Sequence, residues 1–252
     1  MKTVDKAFSV LNQFSLEKTE IGLNELARLA ELDKAATRRL LVALSKNGFI
    51  EQVAETRKYR LGNGFLRLAR IREATVPIVR AAQEVCDWLV EAANETVHIS
   101  VPGEFGMTTI AHRLPRRGNV INIIPSQPLV YHATASGLAF LSFASSETRD
   151  KLLNLHREKI TEATVTSKAE LLASIKTFSA QGFSQTRNTF ENDVSSIAMP
   201  FFGDGTDPDG SIALALPKND LTDNRRDALL PLLRQGIAQL EMALRGLERS
   251  LS

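Results

Sequence analysis

Apolar residues recur at helical spacing from the start of the chain. Val4, Ala7, Phe8, Leu11 and Phe14 predict an amphipathic helix over residues 3–15, with Thr3 at its N-cap. Asn24 is placed to cap a second helix whose inner side carries Leu26, Ala27, Leu29 and Ala30. Glu31-Leu32-Asp33 leaves room only for a turn. A third helix follows over residues 34–47, with Ala36, Leu40, Leu41 and Leu44 as its core stripe, and Gly48 ends it. Two short helices joined by three residues are the helix-turn-helix arrangement. Beyond Gly48 the period changes. Residues 49–53 and 58–61 read as strands joined by a turn over 54–57, a hairpin that completes a winged helix.

Residues 64–92 are helical again, with Pro77 inside the pattern. Proline breaks or kinks a helix, so a domain boundary falls between 73 and 77. The expected domains are residues 1–74, a winged helix with an apolar linker helix, and residues 75–252. In the second, strands are expected over 97–101, 107–112, 120–124, 184–189, 195–200 and 211–216. Helices are expected over 132–142 and 147–156. Ser167 and Glu170 form a capping box for another helix reaching 181. Thr222 caps a final helix with Leu229, Leu232, Leu233, Ile237, Leu240 and Leu244 inward. With turn residues over 203–210, this is an α+β domain: a sheet covered by helices.

Charge changes the picture, because it is divided unevenly. The first 75 residues hold 14 Lys and Arg against 9 Asp and Glu; the remaining residues hold 17 against 20. Residues 34–60 concentrate the basic excess in Lys34, Arg38, Arg39, Lys46, Arg57, Lys58 and Arg60. A basic head on a slightly acidic body points to a polyanion. Lys34, Ala35, Arg38 and Arg39 lie in the first half of the third helix, from which side chains of a recognition helix reach base edges. Arg38 is the leading candidate for a base or phosphate contact. Arg39 borders the apolar stripe and is equally placed to brace the helix. An outward Ala35 suits a thymine methyl. Arg57 and Lys58 at the wing tip suit phosphate or the minor groove. The same pattern also fits a protein-interaction winged helix; basic residues on both helix and wing favour double-stranded DNA.

The remaining composition removes other classes. The 43% hydrophobic and 24% charged content is that of a globular chain. No apolar run reaches membrane-spanning length, and the N-terminal segment is unlike a signal peptide. Cys86 is the single cysteine, which excludes an internal disulfide and cysteine-cluster zinc sites. These features fit the cytoplasm. His98, His112, His132 and His156 lack paired metal-ligand spacing. His132, Thr134 and Ser136 stand close together, yet no orienting third group or oxyanion site accompanies them. Neither an enzyme, a metal nor a cofactor is expected, and His132 reads as a structural or pocket-rim residue.

TVDKAFSVLNQF, LNELARLAELDKAATRRLLVALSKNGFIEQ and KYRLGNGFLRLA resemble the N-terminal domain of the IclR family of bacterial transcription factors. LVYHATASGLAFLSF, QGFSQTRNTFENDVSSIAMPFF and GSIALALP resemble its effector domain, in the same order along the chain. One departure lies in the turn and recognition helix. Where the family commonly has Gly-Leu-Pro and then Ser-Thr, this chain has Glu31-Leu32-Asp33-Lys34 and Ala35-Ala36. The resemblance implies a GAF/PAS-like effector domain, a linker helix that pairs two subunits, and a homodimer or dimer of dimers. It also implies a small organic acid as effector, held by backbone amides at Ala135 and Ser136 and walled by Ile121 and Leu129. Thr186 falls where members that bind small oxoacids carry an acidic residue. Ser196 falls where many carry cysteine, and Ala213 and Ala215 where some carry serine. The implied pocket is less polar than one for a two-carbon oxoacid and suits a larger, aromatic or branched acid. Arg187 stands where it would face either this pocket or solvent.

Overall fold

The computed structural model describes residues 2–76, 78–116, 118 and 120–251, with side chains described as far as Arg245. The chain divides into two compact units, Met1–Val76 and Pro77–Ser252. Pro77, where the sequence places the break between helices, lies outside the described residues. Among the described residues no helix is long and apolar enough to cross a membrane.

The first unit runs α1 (Thr3–Leu11), α2 (Leu23–Leu29), α3 (Lys34–Lys46), β1 (Ile50–Gln52), β2 (Tyr59–Leu61) and α4 (Gly64–Thr75). Its core joins Val10, Ile21, Leu26, Ala30, Leu40, Leu41 and Ile50. Several helix ends differ from expectation. The N-cap of α1 is Lys2, whose amide donates to the Asp5 carboxylate at 3.0 Å, and the helix stops at Leu11. Gly22, rather than Asn24, is the N-cap of α2. Asp33 caps α3: its carboxylate accepts from the Ala36 amide at 2.7 Å, and its carbonyl accepts from the Thr37 hydroxyl at 2.9 Å. Gly48 takes a left-handed φ of 75°, which lets the chain leave α3 for the wing. In the wing, Ile50 pairs with Leu61 and Gln52 with Tyr59, antiparallel. α4 buries none of its side chains within this unit.

The second unit runs α5 (Ile78–Ala93), β3 (Thr96–Pro102), β4 (Met107–Arg113), α6 (Ala135–Phe143), α7 (Ser146–Leu153), α8 (Lys168–Gln181), β5 (Ser184–Arg187), β6 (Val194–Phe201), β7 (Gly210–Pro217) and α9 (Asp223–Leu251). The strands form one antiparallel sheet in the order β4-β3-β7-β6-β5. Strand side chains alternate between faces, and the two faces of this sheet differ in kind. Val97, Ile99, Ile197, Met199, Phe201, Ile212, Leu214 and Leu216 pack in one core with α5 and α9. The other face carries small or polar residues. There Ala198 and Ala213 meet Ala135 and Ala139 of α6. Gly137 brings α6 against the preceding segment: a Cβ there would lie 2.4 Å from the Tyr131 Cα.

Residues 120–124 are not the expected strand. They pair with no strand among the described residues. Ile121 and Ile123 are half-buried between exposed neighbours, so their period of two matches that of a strand. What they cover is a cavity rather than a neighbouring strand. The Thr96 hydroxyl donates to the Ile121 carbonyl at 2.8 Å and ties the segment to the sheet. The loop between β6 and β7 also has a structural task. The Asp207 carboxylate accepts from the Ser145 amide and from the Thr148 hydroxyl, the latter at 2.6 Å, and so closes the start of α7.

Candidate nucleic-acid interface and effector cavity

α3 separates its residues cleanly. Ala36, Thr37, Leu40 and Leu41 are buried, while Lys34, Ala35, Arg38 and Arg39 are exposed on the outer side. Arg57 and Lys58 are exposed at the tip of the wing, and Arg57 holds a left-handed φ of 58° that tightens this turn. None of these five basic side chains takes a hydrogen bond or ion pair among the described residues. Arg60, by contrast, pairs with Glu51 at 2.7 Å and is already satisfied. Arg39 therefore does not brace the helix through a polar partner. Val42 is 62% exposed on the same outer side of α3 and adds apolar surface that the periodicity alone did not single out.

The second unit holds a cavity, open to solvent at its mouth, between the sheet and residues 121–129. Its floor is one row across the sheet, in which Thr96 pairs with Ala215, Ala215 with Ser196 and Ser196 with Thr186. Ala215, Ser196 and Thr186 line the space. Ile121 and Leu129 form apolar wall, joined by Ile123, Ile124 and Phe190. Ala135 and Ser136 open α6 at its end. Seven of the eight residues singled out in the sequence thus meet at one cavity. Ala213 does not. It sits in the next row, paired with His98 and Ala198, and lies wholly buried where α6 presses on the sheet.

The start of α6 leaves backbone donors free. Thr134 caps the helix, its hydroxyl accepting from the Gly137 amide at 3.1 Å. The amides of Ala135 and Ser136 have no acceptor among the described residues. Unengaged amides at a helix N-terminus bind anions through both hydrogen bonds and the helix dipole. The Ser184 hydroxyl holds this end in place by donating to the Ala135 carbonyl at 2.6 Å. From the other side, the Thr189 hydroxyl donates to the Ala133 carbonyl, also at 2.6 Å.

His98 is a cavity residue that the sequence reading missed. It is buried on β3, with Nε2 3.0 Å from the Ser136 hydroxyl oxygen, and Nδ1 has no partner. Burial, with a smaller contribution from nearby His112, pushes its pKa down to about 4, so the ring is neutral near pH 7. Only the strand register shows that it shares a face with Ser196 and Ala215. Glu191, on the loop between β5 and β6, lines the cavity as well. Burial pushes its carboxyl up from the ordinary glutamate value. Arg187 is absent from the lining; its guanidinium donates to the Leu221 carbonyl at 3.3 Å. His132 also stays outside the cavity, its Nε2 2.9 Å from the Glu158 carbonyl oxygen. Cys86 is on the buried side of α5, where burial pushes its thiol up to about 12 and leaves it unreactive near neutral pH.

Comparison with known proteins gives one answer for both units. Residues 3–54 match the IclR helix-turn-helix domain, and residues 74–241 match the bacterial transcriptional regulator IclR C-terminal domain. The chain is 26% identical to the HTH-type transcriptional regulator XynR of Escherichia coli K12, over 97% of this chain and 96% of that protein. It is 34% identical to an IclR-type transcriptional regulator from Silicibacter sp. TM1040, with a TM-score of 0.88 and 96% of each chain covered. An IclR homologue from Microbacterium hydrocarbonoxydans, solved with 4-hydroxybenzoate, shares the fold at a TM-score of 0.80 and 18% identity, over 97% of this chain and 100% of that one. The family matches are regulators rather than enzymes. With its helix-turn-helix at one end and its effector domain at the other, the chain belongs to the IclR family of DNA-binding bacterial transcriptional regulators.

Proposed function

We propose that this regulator grips operator DNA through α3 and its wing, and that a small organic acid bound at the start of α6 tunes the grip. Arg38, with Lys34, Ala35 and Arg39 beside it, addresses base edges in the major groove, while Arg57 and Lys58 hold the backbone or minor groove. The acid places its carboxylate on the Ala135 and Ser136 amides and its body between Ile121, Leu129, Thr186, Ser196 and Ala215. The observation that carries this reading is the pair of unengaged amides opening into a largely apolar cavity. The homologue solved with 4-hydroxybenzoate supports an organic acid in a fold of this kind.

The working unit is a homodimer, or a pair of dimers, acting in the cytoplasm. Leu66, Leu68 and Ile71 on α4 are 59%, 44% and 49% exposed and supply apolar surface for pairing two subunits. Half-sites then lie about one helical turn of DNA apart, or a multiple of it. The acid favours one arrangement of the effector domains and so shifts the population of DNA-competent dimers. The coupling is ~1–3 kcal/mol, and DNA must alter acid affinity by the same factor.

Fluorescence anisotropy tests the reading. The labelled DNA is taken from upstream of the protein's own gene, against scrambled DNA of equal length at two salt concentrations. Selective, salt-sensitive binding that a panel of organic acids strengthens or weakens is the expected result. Selective DNA binding that no acid alters would reject the acid-binding half of the proposal.

A further inference from the structure

The cavity contains hydrogen-bonding groups that the protein leaves unanswered, and they specify an occupant. At α6 the amides of Ala135 and Ser136 ask for an acceptor. One helix N-terminus carries the equivalent of about half a positive charge, enough to favour a single carboxylate. No further cation answers a second one: among the described residues the lining has no Lys or Arg, and Arg187 is engaged elsewhere. His98 is neutral and adds no charge, although its Nδ1 is buried without a partner.

Glu191 makes the opposite demand. The residue lines the cavity while staying exposed overall, its carboxyl has no hydrogen bond or ion pair among the described residues, and partial burial is what raises its titration. Because Glu191 keeps solvent exposure, water serves its carboxylate until a molecule fills the cavity, and that molecule must then supply a donor in the water's place. A second anion in the cavity would be repelled by it, which is discrimination by an unfavourable contact rather than a favourable one.

Resting on the reading that an organic acid fills this cavity, we infer that its effector is a monocarboxylate with an uncharged hydrogen-bond donor such as a hydroxyl, received by Glu191, and that Glu191 excludes dicarboxylates. The apolar stretch from Ile121 to Leu129, with Phe190, takes the carbon skeleton between the two polar ends.

Matched ligands separate this inference from the reading beneath it. Isothermal titration calorimetry on the full-length protein would compare benzoate, the hydroxybenzoates and the benzenedicarboxylates. Hexanoate, 6-hydroxyhexanoate and adipate form a second set without a ring. In at least one set the best hydroxy acid should bind about tenfold or more tightly than its parent, with the dicarboxylates weaker by at least as much. Glu191→Gln should narrow the gap between hydroxy acid and dicarboxylate about tenfold, and change the parent monoacid by less than about threefold. Dicarboxylates binding as well as hydroxy acids to the unmodified protein would overturn the inference and leave the acid-binding reading in place. So would an undiminished gap in Glu191→Gln, with operator binding confirming that the variant is folded. Failure of every monoacid in both sets would overturn the acid-binding reading itself.

Discussion

Glu31 pays for its place in the turn between α2 and α3 with an unfavourable backbone. Its φ is 54°, in the left-handed region that costs a residue with a Cβ ~1–2 kcal/mol. This is the position at which the resemblance to the family leads one to expect glycine. Glu31→Gly should therefore raise stability by ~0.5–1 kcal/mol, read as a higher urea midpoint with an unchanged slope. A lower midpoint would show that the Glu31 side chain contributes more than the backbone loses. Two residues on, Asp33 stands where proline is common and does a different task, since its carboxylate closes the first turn of α3. Asp33→Ala should cost ~1 kcal/mol in the same measurement. The departures in this turn thus have local structural accounts that leave the exposed side of α3 untouched.

At the scale of elements, the proposed grip on DNA divides the work between α3 and the wing. Arg38→Ala should weaken operator binding and change sequence preference, whereas Lys58→Ala should weaken all sequences alike and reduce the salt slope by about one. Competition assays at two salt concentrations distinguish them, and equal loss of preference in both variants would reject the division. The loop holding Asp207 is tied to α7 in a pH-dependent way. Hydrogen bonds from Thr148 and Ser145 keep its carboxyl below the usual aspartate range. A depressed folded value stabilises above about pH 4 and is lost as pH falls through that value. The melting difference between the native protein and Asp207→Asn should accordingly be present at pH 7 and vanish in acid; a constant difference would exclude ionisation as its source. Much of this architecture was legible because the pattern of α3, α8 or α9 lies within a single stretch of chain. Residues 120–124 were not, because a period of two records one covered side and not what covers it. Ala213 and Ala215 share a face and differ only by the row that α6 occupies, and His98 joins the cavity only through strand register. Neither relation is visible without the pairing.

For the whole molecule, the unequal faces of the sheet decide where a ligand can go. Bulky aliphatic side chains fill the space beneath α5 and α9, while alanine, serine and threonine on the opposite face leave room beside α6. Filling that room should uncouple the two units. Ser196→Trp is expected to abolish the response to acid in the anisotropy assay while operator affinity stays within about twofold, since α3 and the wing are unaltered. A surviving response would place the effector elsewhere. The segment over residues 120–124 has a consequence for how such a regulator changes its signal. Its anchor to the sheet uses the carbonyl of Ile121 and is indifferent to the side chain there. No strand ladder depends on the identity of its residues among those described. On the proposed effector reading, this stretch can therefore be rewritten with little cost to the sheet, and a library at Ile121, Ile123 and Ile124 should explore new chemical tastes while the strand pairing is kept.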